Sequence, residues 1–524
     1  MVFVPGGEYK LLSHEKPTDA HVQLDDFFID KFEVTNREYK EFVNAGGYLN
    51  KEFWKQPFVK DGKLLTWEEA MREFKDRTGL SGPRSWVDQN FPEGKAEYPV
   101  ADITWYEAAA YAAFKGKQLP TAFQWEKASR VDTPTKFGWV TPWGLESEEM
   151  FDNRANFKND GTAPVDHYEF GSSPYGCYNM AGNVAEWTLN RQADGFSAAG
   201  GSWGDPAYMF GSYGTFPGFY SSSKLGFRCV LNSPNAKGDQ GAMAFDPREV
   251  PTYGPTSEAS FEEWLSHYRY DKTPLEPRIV EVIETDEWRR EKITYAGADD
   301  ERVMAYLYLP KNFRAPFQVI HFVPGTSAFY SLTVPQYVNL VVQPYIKSGR
   351  AAFVVVLKGY VERKSPDSHK SPTLASVKYL EEMVNWVTDM RRGLDYLETR
   401  NDIEASRIAL LATSTEENLI VPAIESRYRS VVLMGFGLPK TYLECIPEAN
   451  PIYFAPHVRA PKLMLNGLYD EVAPFKSTAE PLYKLLRQPK RLEVYVGGHM
   501  PPFEVAVPIV NRWLDRTLGP VQQE

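Results

Sequence analysis

The sequence predicts two unlike halves, of which the second is a doubly wound α/β domain. Residues 1–232 are rich in Trp, Tyr, Gly and Asn and contain few long helical patterns. From residue 257 onward, short apolar runs alternate with helical segments, which is typical of a parallel sheet covered on both faces. Residues 233–256 between them are rich in Pro and Gly without periodicity, so we interpret them as a linker.

Bulk composition narrows the possible functions. The 524 residues allow two to four domains, and a net charge of −11 without any basic run argues against a nucleic-acid partner. Three distant cysteines exclude a disulfide framework and a Cys-x-x-Cys metal site. No apolar stretch reaches the length of a membrane span, and the first residues lack a signal-peptide pattern. We therefore expect a cytoplasmic location, and the sequence leaves homo-oligomer formation open.

Two helices are predicted in the first half, over residues 36–45 and 105–115. Thr35 and Thr104 precede them as N-caps, and Gly116 closes the second. The remainder consists of short strands and long loops, which usually need a metal ion or dense aromatic packing to hold them. The order of motifs in this half resembles that of the formylglycine-generating sulfatase-modifying family. The motifs lie at residues 3–9, 27–39, 98–108, 117–126, 176–187, 200–203 and 226–229.

This resemblance implies a C-type-lectin-like α+β fold, but it does not extend to the oxidase activity. Oxidase members hold copper with two cysteines, and the matching positions here are Asp205 and Phe210. Copper(I) prefers thiolate ligands, which neither residue supplies. Related sulfoxide synthases use histidines for iron, and the histidines of this half show no paired spacing. We therefore interpret the half as a scaffold or binding module.

The resemblance also implies a calcium site at Asn156, Asn183 and Glu186. Oxygen donors in irregular loops suit a hard cation. An alternative is that these side chains hold the loops together by hydrogen bonds. The sequence leaves both interpretations open.

In the second half, a helix is predicted over 260–268, edge strands over 278–284 and 290–295, and an alternating strand over 302–310. A further helix is predicted over 416–427. Buried strands are predicted at 318–323, 351–357, 408–411, 430–434, 462–466 and 491–495.

Three polar residues follow the ends of these buried strands. Ser414 follows the run at 408–411, Asp470 the run at 462–466, and His499 the run at 491–495. Ligand sites in open parallel sheets lie beyond the carboxyl ends of the strands. The chain order of serine, acid and histidine is that of α/β-hydrolases.

These residue types suit a nucleophilic reaction. A serine hydroxyl needs a base, which His499 would supply, and Asp470 would orient and stabilise the imidazole. N–H donors for the oxyanion would come from Thr415 and from Thr326 or Ser327. The motifs at 324–325, 358–363, 391–400, 454–459, 465–470 and 497–499 resemble α/β-hydrolases related to dienelactone hydrolase and acyl-peptidase-like esterases.

The whole arrangement resembles the tail of bacterial proteins in which a Ser/Thr kinase precedes both domains, although kinase motifs are absent from this sequence. Ala412 and Glu416 depart from the glycines that flank the family's serine. The sequence therefore predicts a serine esterase acting on a small ester without any required cofactor. The alternative is a two-domain binding protein with a degenerate hydrolase site.

Other candidates carry less weight. His321 is interpreted as a core or pocket-wall residue, and His369 and His457 as loop residues without a strand-end acid. Cys445 is equally compatible with buried filler and with a reactive thiol. Residues 365–378 form either a lid or a plain surface loop.

Overall fold

The computed structural model divides into two compact units, Met1–Arg248 and Glu249–Glu524. The boundary falls inside the segment interpreted as a linker. The structure describes residues 1–10, 21–130, 142–143, 153–157, 159–192, 195–205, 210, 213–233, 253–254, 257–297, 301–325, 334–363, 373–413, 416–438, 440–470, 472–499 and 501–521.

The first unit combines short strands with short helices. Its sheets have the strand orders β1-β4-β11, β10-β7-β8-β9, β2-β3 and β5-β6, where the elements have the following bounds. The strands are β1 Val2–Val4, β2 Gly7–Lys10, β3 His21–Leu24, β4 Phe27–Ile29, β5 Val59–Lys60, β6 Lys63–Leu64, β7 Ala185–Gln192, β8 Gly195–Ala199, β9 Tyr213–Phe216, β10 Leu225–Gly226 and β11 Val230–Asn232. The helices are α1 Asn36–Asn44, α2 Trp67–Met71, α3 Trp105–Phe114 and α4 Ala122–Ser129.

Both helices predicted in this unit are present, as α1 and α3, and both begin as expected. The N-cap residues Thr35 and Thr104 each form a capping box with a glutamate three residues later. The caps satisfy backbone N–H groups that have no partner within the helix. Thr66 and Thr121 form capping boxes at α2 and α4, with Glu69 and Gln124 as their respective partners.

Aromatic side chains form much of the core of the first unit. The rings of Trp105 and Phe196 stack with their centroids 3.7 Å apart, and Phe74 stacks on Trp54 at 4.8 Å. Such rings bury large apolar areas. Dense aromatic packing, one of the two devices expected for these loops, therefore holds this unit.

The second unit contains one large sheet with helices. Its strands are β12 Arg278–Glu284, β13 Trp288–Ala296, β14 Arg302–Pro310, β15 Phe317–Val323, β16 Ala351–Val356, β17 Ile403–Thr413, β18 Tyr428–Met434, β19 Lys462–Gly467 and β20 Lys490–Tyr495. Its helices are α5 Glu258–Trp264, α6 Val334–Lys347, α7 Val377–Glu398, α8 Ile420–Ile424, α9 Pro451–Phe454, α10 Glu480–Leu485 and α11 Phe503–Leu518.

The sheet has the order β12-β13-β14-β16-β15-β17-β18-β19-β20. The six strands from β16 to β20 in this order run parallel, as predicted. The first three strands pair antiparallel, so the sheet is mixed. β13 lies between β12 and β14, so its interpretation as an edge strand is wrong. β15 and β16 are buried at every position, which requires cover on both faces of the sheet.

The helix predicted over 416–427 is shorter than expected. A 3₁₀ turn covers Glu416–Leu419, and α8 ends at Ile424. Pro422 lacks a backbone N–H, and Arg427 donates hydrogen bonds from both its backbone and its side chain to Glu425. These contacts close the turn into β18 instead of extending the helix. Within the described ranges, no helix combines the length and apolarity needed to cross a bilayer.

Candidate active site

Asp470 and His499 form a buried pair at the carboxyl edge of the sheet. The Nδ1 atom of His499 lies 2.9 Å from Oδ1 and 3.0 Å from Oδ2 of Asp470. His499 is 2% exposed and Asp470 4%. A carboxylate accepts hydrogen bonds, so Nδ1 carries the proton and Nε2 faces away from the acid as the basic nitrogen.

Backbone contacts bring the two residues together. β19 and β20 run parallel, and the chains beyond them stay paired: the N–H of Leu468 donates to the carbonyl of Tyr495, and that of Tyr469 to Gly497. At Gly467, a Cβ atom would lie 2.0 Å from the carbonyl oxygen of Gly498, so this approach requires glycine. The turns that carry the acid and the base are therefore fixed to each other.

The carboxylate is also oriented from its own turn. Oδ1 of Asp470 accepts the backbone N–H groups of Val472 at 2.9 Å and Ala473 at 2.7 Å. Hydrogen bonds from backbone N–H groups stabilise the ionised carboxylate. The two N–H groups therefore orient the carboxylate against the imidazole, where it can stabilise a positive charge.

The predicted nucleophile follows the end of β17. This strand ends at Thr413, which pairs in register with Met434 of β18. Ser414 is the next residue in the chain, and it lies outside the described residues. The predicted oxyanion donors Thr415, Thr326 and Ser327 also lie outside them, as does the side chain of Glu416.

Among the described residues, His321 and His457 have environments unlike that of His499. His321 is completely buried in β15, where burial lowers its pKa to about 3 and Nδ1 lies 2.8 Å from the hydroxyl of Tyr428. It is a neutral core residue. His457 stacks on the ring of Phe261 at 3.5 Å. His369 and residues 365–372 of the predicted lid lie outside the described residues, and Cys445 is buried.

The positions of the family's copper cysteines hold residues with other roles. The carboxylate of Asp205 accepts hydrogen bonds from the backbone N–H and hydroxyl of Ser202, and Lys224 donates to it at 3.1 Å. Phe210 is 6% exposed and belongs to a hydrophobic cluster. Neither side chain offers the soft donor that copper(I) prefers.

The side chains of the three residues assigned to calcium all form hydrogen bonds within the first unit. Both oxygens of Glu186 accept hydrogen bonds from the guanidinium of Arg228, at 2.6 and 2.7 Å, and Trp125 donates to Oε2 at 2.8 Å. Asn156 Nδ2 instead donates to Oδ1 of Asn183 at 3.0 Å. A calcium ion at Glu186 would have to displace a buried guanidinium. The hydrogen-bonded alternative fits these side chains, and the calcium site stays a prediction.

Sequence reasoning missed the partner of Glu186 and the turn residues that hold Asp470. Arg228 stands inside one of the motifs, at 226–229, and an arginine among apolar neighbours is a signal for a buried ion pair. The amide donors of Val472 and Ala473 have no such signal, because any residue other than proline provides a backbone N–H.

Comparison with known proteins gives different results for the two halves. Residues 1–233 match the family model described as "Sulfatase-modifying factor enzyme 1-like domain". "Inactive C-alpha-formylglycine-generating enzyme 2" of Bos taurus is 30% identical over 287 residues, which cover 46% of this chain and 90% of that protein. "Hercynine oxygenase" of Mycobacterium tuberculosis is 33% identical over 190 residues, 34% of this chain. The chain spans 41% of the length of that oxygenase.

Among solved structures, the C-terminal half is similar to "Acetyl Xylan Esterase 1 from Thermoanaerobacterium sp. JW/SL YS485". The superposition has a TM-score of 0.42 at 16% sequence identity, and it covers 51% of this chain and 96% of the esterase.

Proposed function

The chain belongs, through residues 1–233, to the sulfatase-modifying factor enzyme 1-like family, and we propose that it joins this domain to a serine hydrolase that cleaves carboxylic esters. The observation that carries the proposal is the buried contact of 2.9 Å between Asp470 and His499. This pair lies at the sheet edge where β17 ends one residue before Ser414. A buried acid and imidazole beside a serine can activate its hydroxyl.

The proposed reaction begins when Ser414 Oγ attacks the ester carbonyl carbon. His499 Nε2 takes the hydroxyl proton, and Asp470 stabilises the resulting imidazolium. Collapse of the tetrahedral intermediate expels the alcohol, which receives that proton. A water molecule then gives its proton to His499 and attacks the acyl-enzyme, which releases the carboxylic acid and regenerates the serine.

We propose that the first unit is an accessory domain without oxidase chemistry. Asp205 and Phe210 replace the two thiols of the copper site, and Lys224 and Ser202 already bind the Asp205 carboxylate. We propose that the first unit shapes the access of the substrate to the hydrolase or binds a partner. This role is a separate proposal from the hydrolase chemistry.

Hydrolysis of p-nitrophenyl acetate by the full chain tests the proposal. We expect wild-type turnover, and we expect Ser414→Ala to lower kcat by about 10³-fold or more while the fold is retained. Ser406→Ala, an exposed serine on the same strand, is the matched control and should behave as wild type. Equal rates for wild type and Ser414→Ala would refute the hydrolase and favour a binding protein.

A further inference from the structure

The chain that follows β18 lies directly against the catalytic imidazole. Residues 435–438 have the sequence Gly-Phe-Gly-Leu, and we call them the 435–438 segment. Gly435 has a φ of +66°, a left-handed conformation that favours glycine. A Cβ atom built there would lie 2.8 Å from Cε1 and 3.1 Å from Nδ1 of His499. The imidazole therefore rests on a backbone surface that any side chain would obstruct.

The same segment contacts the turn that carries the acid. A Cβ atom on Gly437 would lie 3.1 Å from Cβ of Ala473, whose N–H binds the Asp470 carboxylate, and 2.2 Å from the hydroxyl of Thr478. Leu438 donates its N–H to the carbonyl of Thr478. Because Gly435 and Gly437 lack side chains, the 435–438 segment can pass between His499 and the turn that binds the Asp470 carboxylate.

Two hydrogen bonds to β19 hold the 435–438 segment in place against His499. The N–H of Gly435 donates to the carbonyl of Leu465 in β19 at 3.0 Å. The buried Asn466 side chain donates to the carbonyl of Phe436 at 2.8 Å. The segment is therefore a rigid continuation of β18 and not a loop free to retreat from His499.

The register of the sheet relates the segment to the proposed nucleophile. Thr413 pairs with Met434, so each strand leaves the sheet at the same level. Neighbouring strands lie about 4.8 Å apart. An imidazole held on Gly435 is therefore close to the end of β17, although β18 and β19 separate that strand from β20, which supplies the histidine.

From these contacts we propose that Gly435 is a positioning residue, whose missing side chain places the His499 imidazole against Asp470 and beside the end of β17. This inference rests on the proposed hydrolase function for its kinetic consequences. The placement of the imidazole itself can be tested without turnover.

The test substitutes Gly435→Ala in the full chain. The added methyl should push the imidazole from Asp470, since the ring is the nearest movable group. A misplacement of about 1 Å can cost on the order of 10²-fold in rate, so we expect such a fall in kcat for p-nitrophenyl acetate with KM within about twofold. The acidic limb of the kcat/KM profile should move to lower pH, because the imidazolium loses its carboxylate.

Gly519→Ala is the control for backbone strain. Gly519 has a φ of +88° in the same unit, but the nearest atom to a Cβ there is 3.8 Å away. It should keep wild-type kcat and pH profile. A matched loss in Gly519→Ala would attribute the effect to strain and overturn the proposal.

The second readout is the pH titration of the His499 ring nitrogens by ¹⁵N NMR, assigned with His499→Gln. In Gly435→Ala the midpoint should move downward, as it should in Asp470→Asn. If wild type proves inactive but the midpoint moves, the hydrolase proposal fails and the positioning role stands. A wild-type midpoint in Gly435→Ala overturns the positioning role.

Asn466→Ala covers the case in which Gly435→Ala does not fold. It removes the hydrogen bond to Phe436 and adds no atom near the ring, so the segment can relax away from His499. We expect a smaller fall in kcat and a smaller shift of the midpoint in the same direction. Wild-type values for both would contradict the proposal.

Discussion

At the scale of single residues, Asp470 both orients the imidazole and balances its charge. Asp470→Asn keeps the size of the side chain but removes its charge. The amide can also donate to Nδ1 and so favour the wrong tautomer of His499. We expect kcat for p-nitrophenyl acetate to fall by about 10³-fold or more with little change in KM.

Asp286→Asn is the control for this prediction, because Asp286 is an exposed carboxylate of the same unit. It should keep the wild-type rate. If Asp470→Asn retained more than about a tenth of wild-type kcat, the acid would not be part of the reaction.

Glu107 gives the first unit a pH-dependent stability. Burial raises the pKa of this carboxyl to about 7, although Tyr48 donates a hydrogen bond to it at 2.6 Å. The folded pKa is above that of an unfolded glutamate, so the folded state binds more protons between about pH 4.5 and pH 7. The stabilisation is complete below this window and is lost as the pH rises through 7.

Glu107→Gln tests this linkage because an amide does not titrate. We expect the free energy of unfolding of the first unit to fall by on the order of 3 kcal/mol between pH 5 and pH 8, relative to the variant. Urea unfolding at both pH values measures it. Parallel pH profiles for wild type and variant would contradict the assignment.

At the scale of elements, threonine caps define where helices of the first unit begin. The hydroxyls of Thr104 and Thr66 accept the same kind of hydrogen bond from the N3 backbone, but Thr104 is buried and Thr66 is exposed. Thr104→Ala should lower the free energy of unfolding by about 2 kcal/mol, since water cannot replace the lost acceptor.

Thr66→Ala removes the same cap in water and should cost about 0.5 kcal/mol. Urea unfolding of the two variants gives the comparison. Equal costs would mean that burial does not strengthen the cap at Thr104.

The caps also explain which elements could be predicted from the sequence. Thr104 followed by Glu107 is a local signal, and so are the apolar runs that become β15 to β20. The antiparallel pairing of β12, β13 and β14 depends on contacts between distant segments, which no local pattern contains. The alternating burial of β13 looks the same in an edge strand and in an inner strand.

In the candidate site too, some features are predicted by local sequence patterns and others depend on contacts between distant residues. Asp470 and His499 could be predicted because both follow strand ends in a sheet whose parallel strands share one carboxyl edge. The fit between Gly435 and His499 could not, because a glycine after a strand has many possible reasons. The partner of Glu186 also depended on the fold, since Arg228 is distant in sequence.

At the scale of the whole molecule, each buried hydrophobic cluster draws its described residues from one unit. The largest cluster runs through the sheet of the second unit, and the others belong to the first. A substitution in one core is therefore expected to destabilise the unit that contains that core. A change in the first core should be separable from the chemistry of the second unit.

Arg228→Lys tests this separation. Arg228 and Glu186 are both completely buried, and the guanidinium also donates to the carbonyls of Lys31 and Tyr178. A lysine ammonium cannot reproduce this forked geometry, so acceptors would remain unsatisfied. We expect the free energy of unfolding of the first unit to fall by about 3 kcal/mol, with unchanged hydrolysis of p-nitrophenyl acetate below the transition.

Arg37→Lys is the matched control, because its ion pair with Glu97 is exposed and exposed pairs contribute about 0.5 kcal/mol. Urea unfolding followed by tryptophan fluorescence gives the stability, and initial rates in the same solutions give the activity. If Arg228→Lys lowered kcat while the chain remained folded, the first unit would take part in hydrolysis. An unchanged rate beside a destabilised first unit would instead locate the reaction entirely in residues 249–524.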